Sequence, residues 1–188
     1  MSQSHFDGKY EVELKYRLQD KHTFLSQLQR LPHQIMLENN AEFDRYYDTQ
    51  SASLAKESKY LILREMRPSN IKLWIVKGPG DKLCQATRID NIDSAAAMLE
   101  TMGYGVVLLL NKTRSIYFIG QYHVTVDHLE GLGDFAELAI MTDDASQLAD
   151  HEQGLISLAM QLGLNENDIE TASYRELVQN SNKSNSTR

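Results

Sequence analysis

Between Tyr10 and Leu18 the chain alternates apolar and charged residues without a break, Tyr-Glu-Val-Glu-Leu-Lys-Tyr-Arg-Leu. Successive side chains of an extended strand point to opposite faces. Tyr10, Val12, Leu14, Tyr16 and Leu18 therefore share one face, and Glu11, Glu13, Lys15 and Arg17 the other. A helix would scatter the same charges around its axis. This strand needs an apolar layer on one side and water, counter-charge or a ligand on the other.

Strand signals recur along the chain. Tyr60 to Arg67 and Ile71 to Lys77 read as a hairpin around the turn signal Pro68-Ser69-Asn70. Phe43 to Asp48, Leu83 to Asp90, Val106 to Leu110, Lys112 to Ile119, Tyr122 to Leu129 and Phe135 to Met141 complete the set. Helices are expected from an Asp20 cap through Leu31, from an Asp93 or Ser94 cap through Met102, from Asp143 or Asp144 to about Leu162, and from Ser173 to Val178. Gly103 sits where a helix-terminating glycine belongs. Strands outnumber helices and join mostly by tight turns. The predicted class is α+β, an antiparallel sheet with helices packed outside it.

The length of 188 residues suits one domain, expected over residues 1–178. The Asn/Ser-rich stretch 179–188 has no apolar residue and is expected to be a disordered polar tail. Nineteen basic against 26 acidic residues give 19 − 26 = −7, which argues against a nucleic-acid partner but leaves room for a local basic pocket. The single cysteine, Cys84, excludes an intrachain disulfide and favours a reducing, cytoplasmic compartment. No run of about 18 apolar residues exists, so no membrane span or membrane partner is expected. Met1 to Asp7 lacks the basic-then-apolar pattern of a signal peptide.

Further charges fall on strand faces. Lys112 and Arg114 share a face, as do His123, Thr125 and Asp127; Glu137 stands alone in Phe135 to Ile140, Arg64 interrupts an apolar run, and Lys77 ends one. A lone charge in an apolar core is strongly unfavourable, whereas a polar barrel interior is tolerated when water, ions or a ligand fill it. Cations in such an interior would bind a polyphosphate, and carboxylates a hard divalent ion. The same alternation also describes a half-solvated strand of an open sheet, and periodicity alone does not choose between the two. Cys84 reads as a small buried hydrophobe, His123 and His128 face opposite ways, Asp143-Asp144 suits helix capping, and Trp74 lies opposite Lys77, under an outer helix.

Glu11-x-Glu13-x-Lys15 resembles the ExExK signature of the CYTH superfamily, the triphosphate tunnel metalloenzymes. Leu63-Arg64-Glu65, Trp74 to Pro79, Lys112-Thr113-Arg114, Val126-Asp127, Gly131 to Glu137 and Ser173 to Leu177 follow in the same order, and the resemblance covers about residues 6 to 178. The stretches Leu63 to Pro79 and Arg114 to Asp144 are most similar to the class IV adenylyl cyclase branch. The resemblance implies a closed eight-stranded antiparallel barrel, a tunnel, with helices packed outside. It implies metal-dependent conversion of ATP to 3′,5′-cyclic AMP and pyrophosphate, with Mg²⁺ or Mn²⁺ as cofactor. Glu11, Glu13, Asp127 and Glu137 are then the metal-side carboxylates, with Glu11 also a candidate base. Lys15, Arg64, Lys77, Lys112 and Arg114 bind the triphosphate, and Arg64, Lys112 and Arg114 act on the leaving group. The resemblance also allows a homodimer. The alternatives are an inorganic or thiamine triphosphatase of the same family and a non-catalytic nucleotide- or polyphosphate-binding module. Two departures weigh against a triphosphatase that needs a second metal: the strand from Leu83 to Arg88 has no acid, and Ala139 stands where many family members carry one.

Overall fold

In the computed structural model, which describes residues 3–80 and 82–185, eight strands form one antiparallel sheet. The strands are β1 (Tyr10–Leu18), β2 (Gln34–Thr49), β3 (Tyr60–Arg67), β4 (Ile71–Lys77), β5 (Cys84–Arg88), β6 (Tyr104–Ile119), β7 (Tyr122–Leu129) and β8 (Gly133–Thr142). Their order across the sheet is β1-β8-β7-β6-β2-β3-β4-β5. The edge strands β1 and β5 curl round to touch at one end, where the Glu11 N–H donates to the Lys82 carbonyl (2.7 Å) and the Cys84 N–H to the Lys9 carbonyl (3.2 Å). The expected closed barrel is therefore corrected to a curled, open sheet with a single bridge across the gap. β5 has only five residues, too short a partner for the nine of β1 to ladder along its length.

The two faces of β1 part as its alternation predicts. Val12, Tyr16 and Leu18 are buried on the convex side, beneath Phe24 and Leu28 of α1 (Lys21–Leu28) and Leu155, Leu158 and Leu162 at α4 (Leu148–Gln161). A short helix, α2 (Ser53–Lys56), which the sequence did not signal, joins β2 to β3. A second convex layer places Ile92, Ala95 and Leu99 of α3 (Ile92–Thr101) against Tyr47 and Leu63, with Trp74 packed against it as expected. The apolar core thus lies between sheet and helices, and the concave face is left for the ionic residues.

Several boundaries differ from expectation for local reasons. Asp20 caps α1 through the His22 N–H (2.9 Å), but the helix stops at Leu28 rather than Leu31, whose helical conformation the following Pro32 disfavours. Asn91, not Asp93 or Ser94, caps α3, because its side-chain oxygen accepts from both of those N–H groups. Asp144 caps a 3-10 turn, Ala145–Gln147, that leads into α4. The strand expected over Phe43 to Asp48 extends back to Gln34, and the two runs from Val106 to Ile119 are one strand. The ordered chain was expected to end at Val178, but α5 runs Tyr174–Asn185; residues 186–188 of the expected tail lie outside the described residues. No Gly or Pro interrupts that stretch, and extending an existing helix is easier than nucleating one. Among the described residues no helix is long and apolar enough to cross a membrane.

Because Leu155 is fully buried between α4 and β1, Leu155→Ala is expected to destabilise the protein by about 2–5 kcal/mol in urea unfolding. A loss below about 1 kcal/mol would mean that this layer is not packed as described.

Candidate active site

Period-two alternation on β1, β3, β4, β6 and β8 points ionic side chains into one cavity of about 460 Å³ on the concave face. Glu11, Glu13 and Lys15 come from β1, Arg64 from β3, Lys77 from β4, Lys112 and Arg114 from β6, and Glu137 from β8. The turn after β4 fixes the Lys77 end: Gly78 has φ +89° and sits so close to the Ser58 carbonyl that a side chain there would collide with it.

The deepest part of the site is an ionic layer across β2, β3 and β6. Arg64 grips Asp44 through two hydrogen bonds of 2.7 Å and reaches Glu42 at 2.9 Å. Lys112 pairs with Glu42 and lies 3.4 Å from Asp44. Burial opposes ionisation of Asp44, but Arg64 and Lys112 outweigh it and hold the carboxyl well below the usual range. Sequence reasoning missed Glu42 and Asp44. Their signal was the alternation Glu42-x-Asp44-x-Tyr46, hidden by the irregular backbone before it, where the β2–β6 register shifts between Ile35 and Leu37 and again between Leu37 and Asn40.

Arg114 forms the second layer. It binds Asp127 through two contacts of 2.6 and 2.5 Å and Glu137 at 2.5 Å. Asp127 also accepts a hydrogen bond from the Tyr174 hydroxyl of α5 (2.8 Å), and the Lys15 ammonium lies 4.6 Å from the centre of the Tyr174 ring. Asp127 is wholly buried and is not among the residues lining the cavity, although it shares Arg114 Nη2 with Glu137, which does line it. Its oxygens hold Arg114 and Tyr174 in place. Tyr174 was legible only as part of the Ser173 to Leu177 motif.

Glu11, Glu13 and Glu137 do face the cavity. Lys77 hydrogen-bonds Glu11 at 2.8 Å and lies 4.0 Å from Glu13. Burial disfavours the Glu11 anion, yet the Lys77 charge and hydrogen bond prevail and hold it down at about 2. Glu13 goes the other way: burial, then repulsion from Glu137 and Glu11, push it up to about 7. Crowded carboxylates of this kind are relieved by a cation, and an all-oxygen donor set suits a hard divalent ion. Among the described residues no group of three or more His, Cys, Asp or Glu is already gathered around one metal position. His123 stands beside Glu11 at 3.9 Å and is buried, which lowers it to about 4 and keeps its ring neutral at pH 7. Cys84 also lines the cavity; burial pushes its thiol up to about 12, as expected of an inert, hydrophobe-like cysteine.

A curled antiparallel sheet with acids and bases interleaved on its concave face is a site of the kind that suits an anionic ligand accompanied by a cation. The CYTH domain family matches residues 9–174, and the chain belongs to that family. It is 55% identical over 181 residues to the adenylate cyclase CyaB of Aeromonas hydrophila, covering 96% of this chain and 95% of that one. A solved structure from Vibrio parahaemolyticus, provisionally described as an adenylate cyclase, superposes with a TM-score of 0.90 at 48% identity, over 92% of this chain and 99% of that one. The PH1819 protein of Pyrococcus horikoshii shares the fold, with a TM-score of 0.78 at 23% identity over 92% of this chain and 99% of that one.

The Glu13 shift has a definite sign. Its pKa of about 7 in the folded protein lies above the ordinary glutamate value of 4.5, so the folded state binds the proton more tightly and loses stability as pH rises between those values. With metal chelated, raising pH from 5 to 8 is expected to lower the melting temperature of the wild type relative to Glu13→Gln. Parallel curves for the two proteins would contradict the crowding of Glu13.

Proposed function

We propose that this protein converts ATP to 3′,5′-cyclic AMP and pyrophosphate. The observation that carries this reading is the gathering in one cavity of three carboxylates, Glu11, Glu13 and Glu137, among the cations Lys15, Arg64, Lys77, Lys112 and Arg114. The similarity to the Aeromonas cyclase over nearly the whole chain supports it.

The reaction needs no protein nucleophile. The ribose 3′-hydroxyl gives up its proton to solvent as its oxygen bonds to the α-phosphorus, the bond from that phosphorus to the bridging oxygen of the β-phosphate breaks, and pyrophosphate leaves with the electron pair. The protein must hold ATP folded for in-line attack and neutralise charge on the leaving group. Arg64 and Arg114 are suited to this because Asp44 and Asp127 already fix their guanidinium planes, so little reorganisation accompanies the reaction. Lys112, held by Glu42, adds a point charge between them. Lys15 is free to move from its place over Tyr174 onto a phosphate oxygen.

Glu11, Glu13 and Glu137 would hold a divalent ion, Mg²⁺ or Mn²⁺, which when bound supplies positive charge to the phosphate oxygens and acidifies the attacking hydroxyl. Asp127 supports Arg114 rather than the metal. Glu11, held ionised by Lys77, suits cation binding better than the role of base.

Mass spectrometry of products from ATP and Mn²⁺ tests the reading: cyclic AMP and pyrophosphate are expected in equal amounts. Phosphate without cyclic AMP, from ATP or tripolyphosphate, would point to a triphosphatase; binding without turnover would point to a carrier. Arg114→Lys keeps the charge but loses the two-pronged grip, and is expected to lower kcat by roughly 10²-fold or more. Near-normal cyclic AMP formation in this variant would remove Arg114 from the mechanism.

A further inference from the structure

The cavity has a second end that the triphosphate chemistry does not use. Along the lumen face of β6, Lys112 and Arg114 are followed by Ile116. Ile116 pairs with Leu37 across β2–β6, and Met66 pairs with Ile71 across β3–β4. These four and Met36 line the cavity as one apolar cluster, which begins one lumen-facing position beyond Arg114. A site for an anion alone has no need of such a wall.

Aromatic rings from outside the sheet complete this end. The 3-10 turn Gln3–Phe6 brings the Phe6 ring to 4.8 Å from the His123 ring and 5.8 Å from Phe118, while His5 stacks on Phe118 at 4.0 Å with 9° between the planes. Phe6 lines the cavity yet remains 39% exposed, so one face of its ring is open to a ligand. His123 lines the same cavity, is only 4% exposed, and its buried Nδ1 has no hydrogen-bond partner. A buried polar atom without a partner is costly unless a ligand or water satisfies it.

We propose that Phe6 and His123 form a nucleobase slot, in which Phe6 stacks on the base and His123 Nδ1 makes one hydrogen bond to its edge. The slot rests on the nucleotide reading above and extends it: the ionic layers take the triphosphate, which every triphosphate substrate shares, and the aromatic end selects what is attached to it. A cavity of about 460 Å³ is within the usual range for a ligand of this size.

Calorimetric titration with α,β-methylene-ATP, α,β-methylene-GTP and inorganic tripolyphosphate, each with Mn²⁺, separates the two ends. Phe6→Ala is expected to weaken α,β-methylene-ATP by about tenfold or more, the usual effect of losing a base stack, and to leave tripolyphosphate within about twofold. Phe6→Trp keeps a stacking face and is expected to retain nucleotide affinity. His123→Phe keeps the ring but loses the hydrogen bond, and is expected to narrow the preference between the two nucleotides. Equal weakening of nucleotide and tripolyphosphate in Phe6→Ala, or no weakening of either, would overturn the stack; an unchanged preference in His123→Phe would overturn the hydrogen bond. Because these are binding measurements on an uncleaved analogue, a wild type that forms no cyclic AMP defeats the cyclase reading without touching the slot. Loss of the slot with cyclic AMP formation intact does the reverse.

Discussion

Glu42 has no exposed surface, and its carboxylate lies among Arg64, Lys112 and Arg114. The site depends on this buried ionic contact. A carboxylate withdrawn from water is strongly destabilising unless cations surround it, and removing one partner of such a set typically costs about 3–5 kcal/mol. Glu42 therefore fixes three cations, and those cations need their remaining donors satisfied. Asp44 answers Arg64, and Asp127 and Glu137 answer Arg114. The pairing follows strand register, since Glu42 lies opposite Lys112, Asp44 opposite Arg64, and Arg114 opposite Asp127.

A network of this kind is a poor way to gain stability and a good way to hold charge in place. The stability comes from elsewhere, from the apolar layers between the convex face and helices α1, α3 and α4. The concave face is then free to carry charges that are balanced among themselves but still open to a ligand. Among the described residues Lys15 and Arg88 line the cavity without a direct ion pair, and both can turn to an incoming anion. Tyr174 links the layers to α5, with its hydroxyl on Asp127 and its ring beneath Lys15. The C-terminal helix thereby takes part in the site.

The ionic face of β1 was legible because nine residues alternate without a fault, and every one of Glu11, Glu13 and Lys15 reaches the cavity. β3, β4 and β7 were legible with their ends, since turn residues bound each of them. β2 was half hidden. Asn39 adopts φ +50° and the register slips on either side of Leu37, so the alternation of its first half does not run into that of Glu42 and Asp44. Asp127 was legible as an ionic residue of that face but its burial was not, because period two gives a face and not a depth: its face contains both cavity-lining Thr125 and a residue buried under Arg114. The open edge between β1 and β5 was equally out of reach, since closure depends on the relative lengths and tilt of strands far apart in sequence. The aromatic end was invisible for a similar reason: Phe6, Phe118 and His123 are brought together only when the chain start folds across the strand ends.

The most direct measurement is a crystal structure with Mn²⁺ and α,β-methylene-ATP, the metal located by its anomalous scattering. The manganese is expected inside the curled sheet, against Glu13 and Glu137, with the phosphates against Lys15, Arg64, Lys112 and Arg114. Metal or phosphates bound on the convex surface, with the ion pairs of Arg64 and Arg114 closed over an interior that admits no ligand, would show that the buried charges serve the fold alone.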